Sequence, residues 1–161
     1  MSQALIASVA RSPIGRAVKG SLVDVRPDDL AAKMVEAAIG AVPQLDPTEI
    51  EDLYLGCGEP YDEQEANMAR RVAVLAGLDG LPGATINRFC SSSLQTTRMA
   101  MHAIRAGEGD VFISAGVECG TVTAGNSRPL NGLRACGGRY GLQTMCVGGG
   151  QGMAMIPELL A

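Results

Sequence analysis

Tryptophan is absent, and phenylalanine and tyrosine together supply only 3% of the 161 residues. A core must therefore be built from Ala, Val, Leu, Ile and Met, which with the remaining apolar types make up 47% of the chain, enough for one ordinary domain. Only one histidine is present, so a histidine-rich metal site is excluded. Five cysteines, Cys57, Cys90, Cys119, Cys136 and Cys146, contain no Cys-x-x-Cys pair. Their odd number and scattered spacing argue against a disulfide framework or a zinc ribbon and suit a reducing, cytoplasmic setting. Basic clusters with aromatic spacing are missing and the net charge is −4, which speaks against nucleic acid as a partner. No apolar run approaches the ~20 residues of a membrane span. The run from Ala4 to Ala10 is also too short for a signal peptide and lacks a basic leader.

What is present is a regular alternation of apolar segments. Ala4 to Ala10 reads as a first buried strand, followed by a basic loop with Arg11, Arg16 and Lys19 that a solvated surface accounts for. Pro27-Asp28-Asp29 suits a helix entry, with Leu30, Met34, Ala37 and Ala41 as its apolar stripe and Gly40 and Pro43 as its end. Asp46 to Glu51 is an acidic connection, and Leu53 to Cys57 reads as a second strand. Lys and Arg are missing between Met34 and Ala69, where nine Asp and Glu residues form an acidic outer face. A second helix is expected from about Glu65 to Ala76, with Met68, Val72 and Leu75 inward and Gly77 as its stop.

An extended run from Gly83 to Phe89 then hands over to a helix whose stripe is Cys90, Leu94, Thr97, Met101 and Ile104, ended by Gly107. Val111 to Val117 is the next strand. Alternation of this kind predicts an α/β fold, a parallel or mixed sheet with helices packed on it. Cys90 falls at a helix start, where unpaired amides and the positive end of the helix dipole favour a thiolate. From that local pattern alone, a structural cysteine acting as a small hydrophobe fits equally well.

Residues 121–139 are Gly-rich and basic and read as a connector that could hold one helical turn around Leu130 to Ala135. Tyr140 to Val147 and Met153 to Ile156 read as the strands of a hairpin around Gly148 to Gly152, where glycine supplies positive φ.

The segment Asn87-Arg88-Phe89-Cys90-Ser91-Ser92-Ser93-Leu94-Gln95 resembles the acyl-accepting cysteine segment of the thiolases. Cys146-Val147-Gly148-Gly149-Gly150-Gln151-Gly152-Met153-Ala154 resembles that family's second cysteine segment. Softer matches are Arg11 to Arg16, Arg26 to Leu30, Asn67 to Arg70 and Ser114 to Glu118. A related condensing enzyme of the ketoacyl-synthase type also uses a cysteine at a helix start, and the Cys146 segment speaks against it.

The resemblance implies a thiolase-like half-fold: an N-terminal α/β region at 1–120, a junction at 121–139 and a C-terminal hairpin at 140–161. It implies Cys90 as the nucleophile that forms an acyl-thioester and Cys146 as the acid/base. The backbone amides of Cys90 and Gly148 would form the oxyanion hole. Implied too are coenzyme A and acyl-CoA as substrates with no bound cofactor, and a homo-oligomer without nucleic acid or membrane span.

The pattern breaks near Asn126 to Pro129. The family's loop domain, its Asn-Glu-Ala-Phe segment and its Gly-His-Pro segment have no equivalent, which reads as a large internal deletion. His102 cannot replace the missing histidine, because twelve residues of helix set it roughly 18 Å along the axis from Cys90. Activity of this short form is therefore expected to be impaired. The alternative is a non-catalytic fragment that pairs with itself or with a full-length relative.

Overall fold

The computed structural model describes residues 4–16, 19–60 and 62–119, and the backbone of two further strands at 143–146 and 152–155. The elements are α1 (Pro27–Gly40), β1 (Ile50–Gly56), α2 (Met68–Leu75), β2 (Gly83–Ile86), α3 (Ser92–Ala106), β3 (Val111–Gly116), β4 (Gln143–Cys146) and β5 (Gly152–Met155). Short 3-10 turns lie at Pro47–Glu49, Asp62–Gln64 and Phe89–Ser91.

β1 is the middle of a three-stranded sheet of order β2-β1-β3, and it runs parallel to both neighbours. Leu53 stands opposite both Gly83 and Ile113. Parallel neighbours require crossovers, and α2 and α3 supply them, which is why the sheet is covered on both sides. α1 and α2 pack together on one face, and α3 lies against β1 and β3 on the other. The C-terminal pair β4 and β5 is antiparallel, with Cys146 opposite Gly152.

Alternation along β1, continued one residue past its end, sends Leu53, Leu55 and Cys57 into the core, where each is fully buried. They meet Ala31, Ala32 and Val35 of α1 and Met68, Ala69, Val72 and Ala73 of α2. A Cβ at Gly83 would lie 2.9 Å from the backbone of Ala69, so glycine there lets α2 approach the sheet. The start of α2 is tied to β2 by Asn67, whose Oδ1 accepts from the Arg70 and Thr85 donors and whose Nδ2 donates to Gly83 O at 2.8 Å.

Charge joins the two helices at one point. Asp28, 1% exposed, accepts from Arg26 Nη2 at 2.8 Å and from Arg71 Nη1 at 3.3 Å. Burial pushes its carboxyl up, but the Arg26 hydrogen bonds and charge, the Asp29 amide and Arg71 outweigh that and hold it below the usual carboxylate range.

Four expectations change. Residues 4–10 form no strand: Leu5, Ile6 and Val9 are exposed, and Ser8 Oγ instead donates to Ala38 O of α1 at 2.8 Å. Residues 4–10 pair with none of the three strands of the β2-β1-β3 sheet, and an apolar run without a ladder partner is not a strand.

The inward face of α1 is Ala31, Ala32 and Val35, while Leu30 and Met34 are half-buried and Ala37 and Ala41 exposed. Small residues face the sheet because they let the helix axis come close. Leu30 and Met34 line a surface cavity of about 240 Å³ with Ile14, Arg16, Val117 and Glu118.

α2 starts at Met68, where Asn67 caps it, and Leu75 is exposed while Ala69 and Ala73 face inward. Gly77 ends it as expected, at φ +75°. α3 buries Ser92, Thr96 and Ala103 in place of the apolar stripe, leaving Leu94 73% exposed. Gly107 stops α3 in the left-handed region, as expected. Residues 121–139 and the hairpin turn with Gly148 lie outside the described residues.

Candidate active site

The carboxyl ends of parallel strands are where open α/β sheets bind ligands. Here those ends are Gly56, Ile86 and Gly116, side by side in register. Cys90 leaves the sheet at this edge. It lies in the Phe89–Ser91 turn, just ahead of α3 rather than in its first turn, and it is half-buried.

The turn is strained. Phe89 has φ +49°, in the left-handed region that a bulky residue rarely occupies, at a cost of roughly 1–3 kcal/mol. Four side-chain hydrogen bonds hold it. Phe89 N donates to Asn87 Oδ1 at 2.8 Å, and Asn87 Nδ2 donates to Gly58 O at 3.1 Å. Arg88 N donates to Ser92 Oγ at 2.9 Å, and Ser92 Oγ donates in turn to Phe89 O at 2.6 Å. Asn87 and Ser92 lie within the segment that resembles the family's cysteine motif, but the sequence pattern assigns a role only to Cys90. Ser91, in the N-cap position, makes no side-chain cap bond. The hydroxyl one residue later reaches backward into the turn instead.

Glycine brings α3 onto the strand ends. A Cβ at Gly56 would lie 2.6 Å from Ser93 N, and one at Gly116 would overlap Ser93 Oγ. Along the same face Thr96 Oγ1 donates to Ser93 O and lies 2.9 Å from Ser114 Oγ. This is a polar, close contact where the opposite face of the sheet is apolar.

The loops after β1 and β3 meet beside the turn. Gly58 N donates to Glu118 Oε2 at 2.8 Å, and Cys119 N donates to the buried Gln64 Oε1 at 2.8 Å. Glu118 is open to solvent on one side, yet burial of the carboxyl on the other pushes it up, partly offset by the Gly58 and Glu59 amides. Burial, helped by the Glu118 charge, pushes the Cys57 thiol up to about 12. Cys57 is thus a protonated core residue at neutral pH.

The backbone of β4, which ends at Cys146, packs against the Phe89–Ser91 turn. The two cysteine segments therefore approach one another, although the side chain of Cys146 and the Gly148 amide lie outside the described residues. His102 is exposed near the far end of α3, away from this edge. Among the described residues, no group of His, Cys, Asp and Glu could hold a metal ion, and no helix is long and apolar enough to cross a membrane.

The chain belongs to the thiolase family: the family model for the thiolase N-terminal domain matches residues 4–119. A 3-ketoacyl-CoA thiolase of Aeromonas hydrophila is 44% identical over 119 residues, 73% of this chain and 31% of that protein. A beta-ketoadipyl-CoA thiolase of Pseudomonas knackmussii is 44% identical over 114 residues, 70% of this chain and 28% of that protein. In three dimensions, the acetyl-CoA acetyltransferase of Bacillus anthracis matches with a TM-score of 0.66 and 34% identity, over 72% of this chain and 29% of that one. The chain thus spans about three tenths of the length of the relatives it matches.

Proposed function

We propose that this chain is a thiolase-type acyl-CoA C-acyltransferase whose acyl acceptor is Cys90. What carries the reading is the position of Cys90: a half-buried thiol on a held turn at the carboxyl edge of the sheet, within a region matched by the thiolase N-terminal domain. The Cys90 thiolate attacks the thioester carbonyl of an acyl-CoA. The tetrahedral oxyanion is received by backbone amides, those of Cys90 and Gly148. Collapse breaks the bond to the coenzyme A sulfur, which leaves as a thiolate, and the acyl group stays on Cys90. Cys146 then serves as acid/base at the acetyl carbon, a role its thiol suits because an unperturbed pKa of ~8.5 can be tuned toward neutrality.

The segments that would supply the family's histidine and asparagine are absent from the sequence. Loss of one general base or oxyanion donor typically lowers rate by roughly 10²-fold or more. The 161-residue chain is therefore a poor catalyst of full turnover that retains the first half-reaction. Its setting is the cytoplasm, as a homo-oligomer.

A second reading is a non-catalytic fragment that pairs with itself or with a full-length relative. Exposure of Leu5, Ile6 and Val9 favours it, since exposed apolar clusters mark contact surfaces. One experiment separates the two. Brief incubation with acetyl-CoA, acid quench and mass analysis should show an acetyl adduct on the Cys90 peptide, lost in Cys90→Ala. An unmodified Cys90 together with a size that grows with concentration on a column overturns the catalytic reading in favour of the fragment.

A further inference from the structure

Building on Cys90 as the acyl acceptor, we propose that Asn87 and Ser92 are positioning residues. Their hydrogen bonds hold Phe89 in its left-handed conformation and so fix the direction in which Cys90 leaves the sheet.

Backbone sterics favour negative φ for any residue with a Cβ, so Phe89 at φ +49° relaxes unless its neighbours oppose it. The restraints are placed on both sides of that residue. Asn87 Oδ1 takes the Phe89 amide proton, and Ser92 Oγ donates to the Phe89 carbonyl while accepting from the Arg88 amide. Ser92 is 4% exposed, so its hydroxyl has little access to water and both of its bonds are made within the turn. Asn87 also ties the turn to the next strand end, through Gly58 O. A Cβ at Gly58 would sit 3.1 Å from Phe89 O, so the two loops meet backbone to backbone. Each acts through backbone groups of the residues just before Cys90. A strained strand-to-helix turn is a known way to present a nucleophile, because it sets the reactive atom clear of the chain at the start of the helix. Without the restraints the Phe89 torsion changes sign, and Cys90 swings out of the field of the α3 amides that favours its thiolate.

The test is the pH dependence of Cys90 alkylation by iodoacetamide, read by mass analysis of its peptide on the full 161-residue chain. Wild type, Ser92→Ala, Asn87→Ala and Asn87→Ser are compared. Both alanine variants should move the apparent Cys90 titration upward by about one unit, a roughly tenfold slower reaction at pH 7 that converges with wild type at high pH. Asn87→Ser, which keeps a local acceptor for the Phe89 amide, should recover most of the wild-type profile. A turn that merely loosened would react faster at every pH, and that result overturns the proposal, as do profiles coincident with wild type. Should Ser92→Ala fail to fold, the solvent-exposed Asn87 pair decides the matter. The acetyl-CoA adduct on wild type is a separate readout. Shifted profiles without an adduct remove acyl transfer and keep the positioning role; an adduct with unshifted profiles does the reverse.

Discussion

The two faces of the β2-β1-β3 sheet are built by opposite rules. Toward α1 and α2, the strands present Leu53, Leu55 and Cys57, and the helices answer with alanine, valine and methionine. Toward α3 they present Gly56, Ser114 and Gly116, and the helix answers with Ser92, Ser93 and Thr96. Area removed from water stabilises the first face, at ~25 cal/mol per Å² of apolar surface. The second gains little of that. It gains proximity instead, because residues without large side chains let the start of α3, and with it Cys90, sit against the carboxyl ends of the strands. Stability and chemistry are thus divided between the two sides of one sheet.

The sharpest way to break this division is in the apolar face. Leu53 is fully buried at the centre of β1. Leu53→Ala removes buried methyl groups where neighbours on two strands and two helices cannot all collapse inward, and should cost about 3–5 kcal/mol in urea unfolding. If the division holds, Cys90 in the fraction that remains folded keeps its alkylation profile. A core truncation that changes that profile as much as it changes stability would mean the two faces are not separable.

The complementary change is Gly56→Ala. Its new Cβ would fall 2.6 Å from the Ser93 amide nitrogen, and backbone atoms of a helix cannot turn aside as a side chain does. Overpacking of this kind costs about 1–3 kcal/mol, less than the cavity above, yet it displaces the start of α3 directly. Alkylation of Cys90 at neutral pH should slow by about tenfold while urea stability falls only modestly. Equal rates in mutant and wild type would show that close approach of α3 is not what poises the thiol.

Much of this was legible in the chain. Gly77 and Gly107 end their helices as their positions predict, both with positive φ, and Val111 to Gly116 forms the expected strand. Alternating apolar segments separated by turn signals are a local property, and local properties survive in sequence. What was not legible depends on partners. The run from Ala4 to Ala10 has the composition of a buried strand, but composition does not say whether another strand pairs with it, and here none does among the described residues. The inner face of α3 departs from its pattern for a different reason. A period of 3.6 residues identifies Leu94, Met101 and Ile104 as a stripe, and ordinarily a helix turns its apolar stripe inward. Here the inward residues are Ser92, Thr96 and Ala103, and the Ser92 and Thr96 hydroxyls find partners in the turn and on Ser114. Cys90 was recognised because its whole segment carries a family pattern, whereas Asn87 and Ser92 act through backbone groups, and a bond to a backbone amide leaves no mark on the partner's residue type.

The mildest substitution tests which face of α3 packs inward. If α3 packed by its apolar stripe, Leu94 would be a core residue, and replacing it with a polar side chain would cost about 2–5 kcal/mol. In the structure Leu94 is 73% exposed, so little apolar area is lost when it is changed. Glutamine has nearly the helix propensity of leucine, which removes the backbone contribution from the comparison. Leu94→Gln should therefore shift urea stability of the isolated chain by no more than about 0.5 kcal/mol. The same variant also reports on what covers this face in an assembly. Should the chain self-associate through the exposed side of α3, Leu94→Gln lowers its size at high concentration while leaving the dilute monomer as stable as before. A large loss of stability in the dilute chain would instead restore the apolar stripe as the packing face, and with it the glycine contacts at Gly56 and Gly116 would lose their part in seating Cys90.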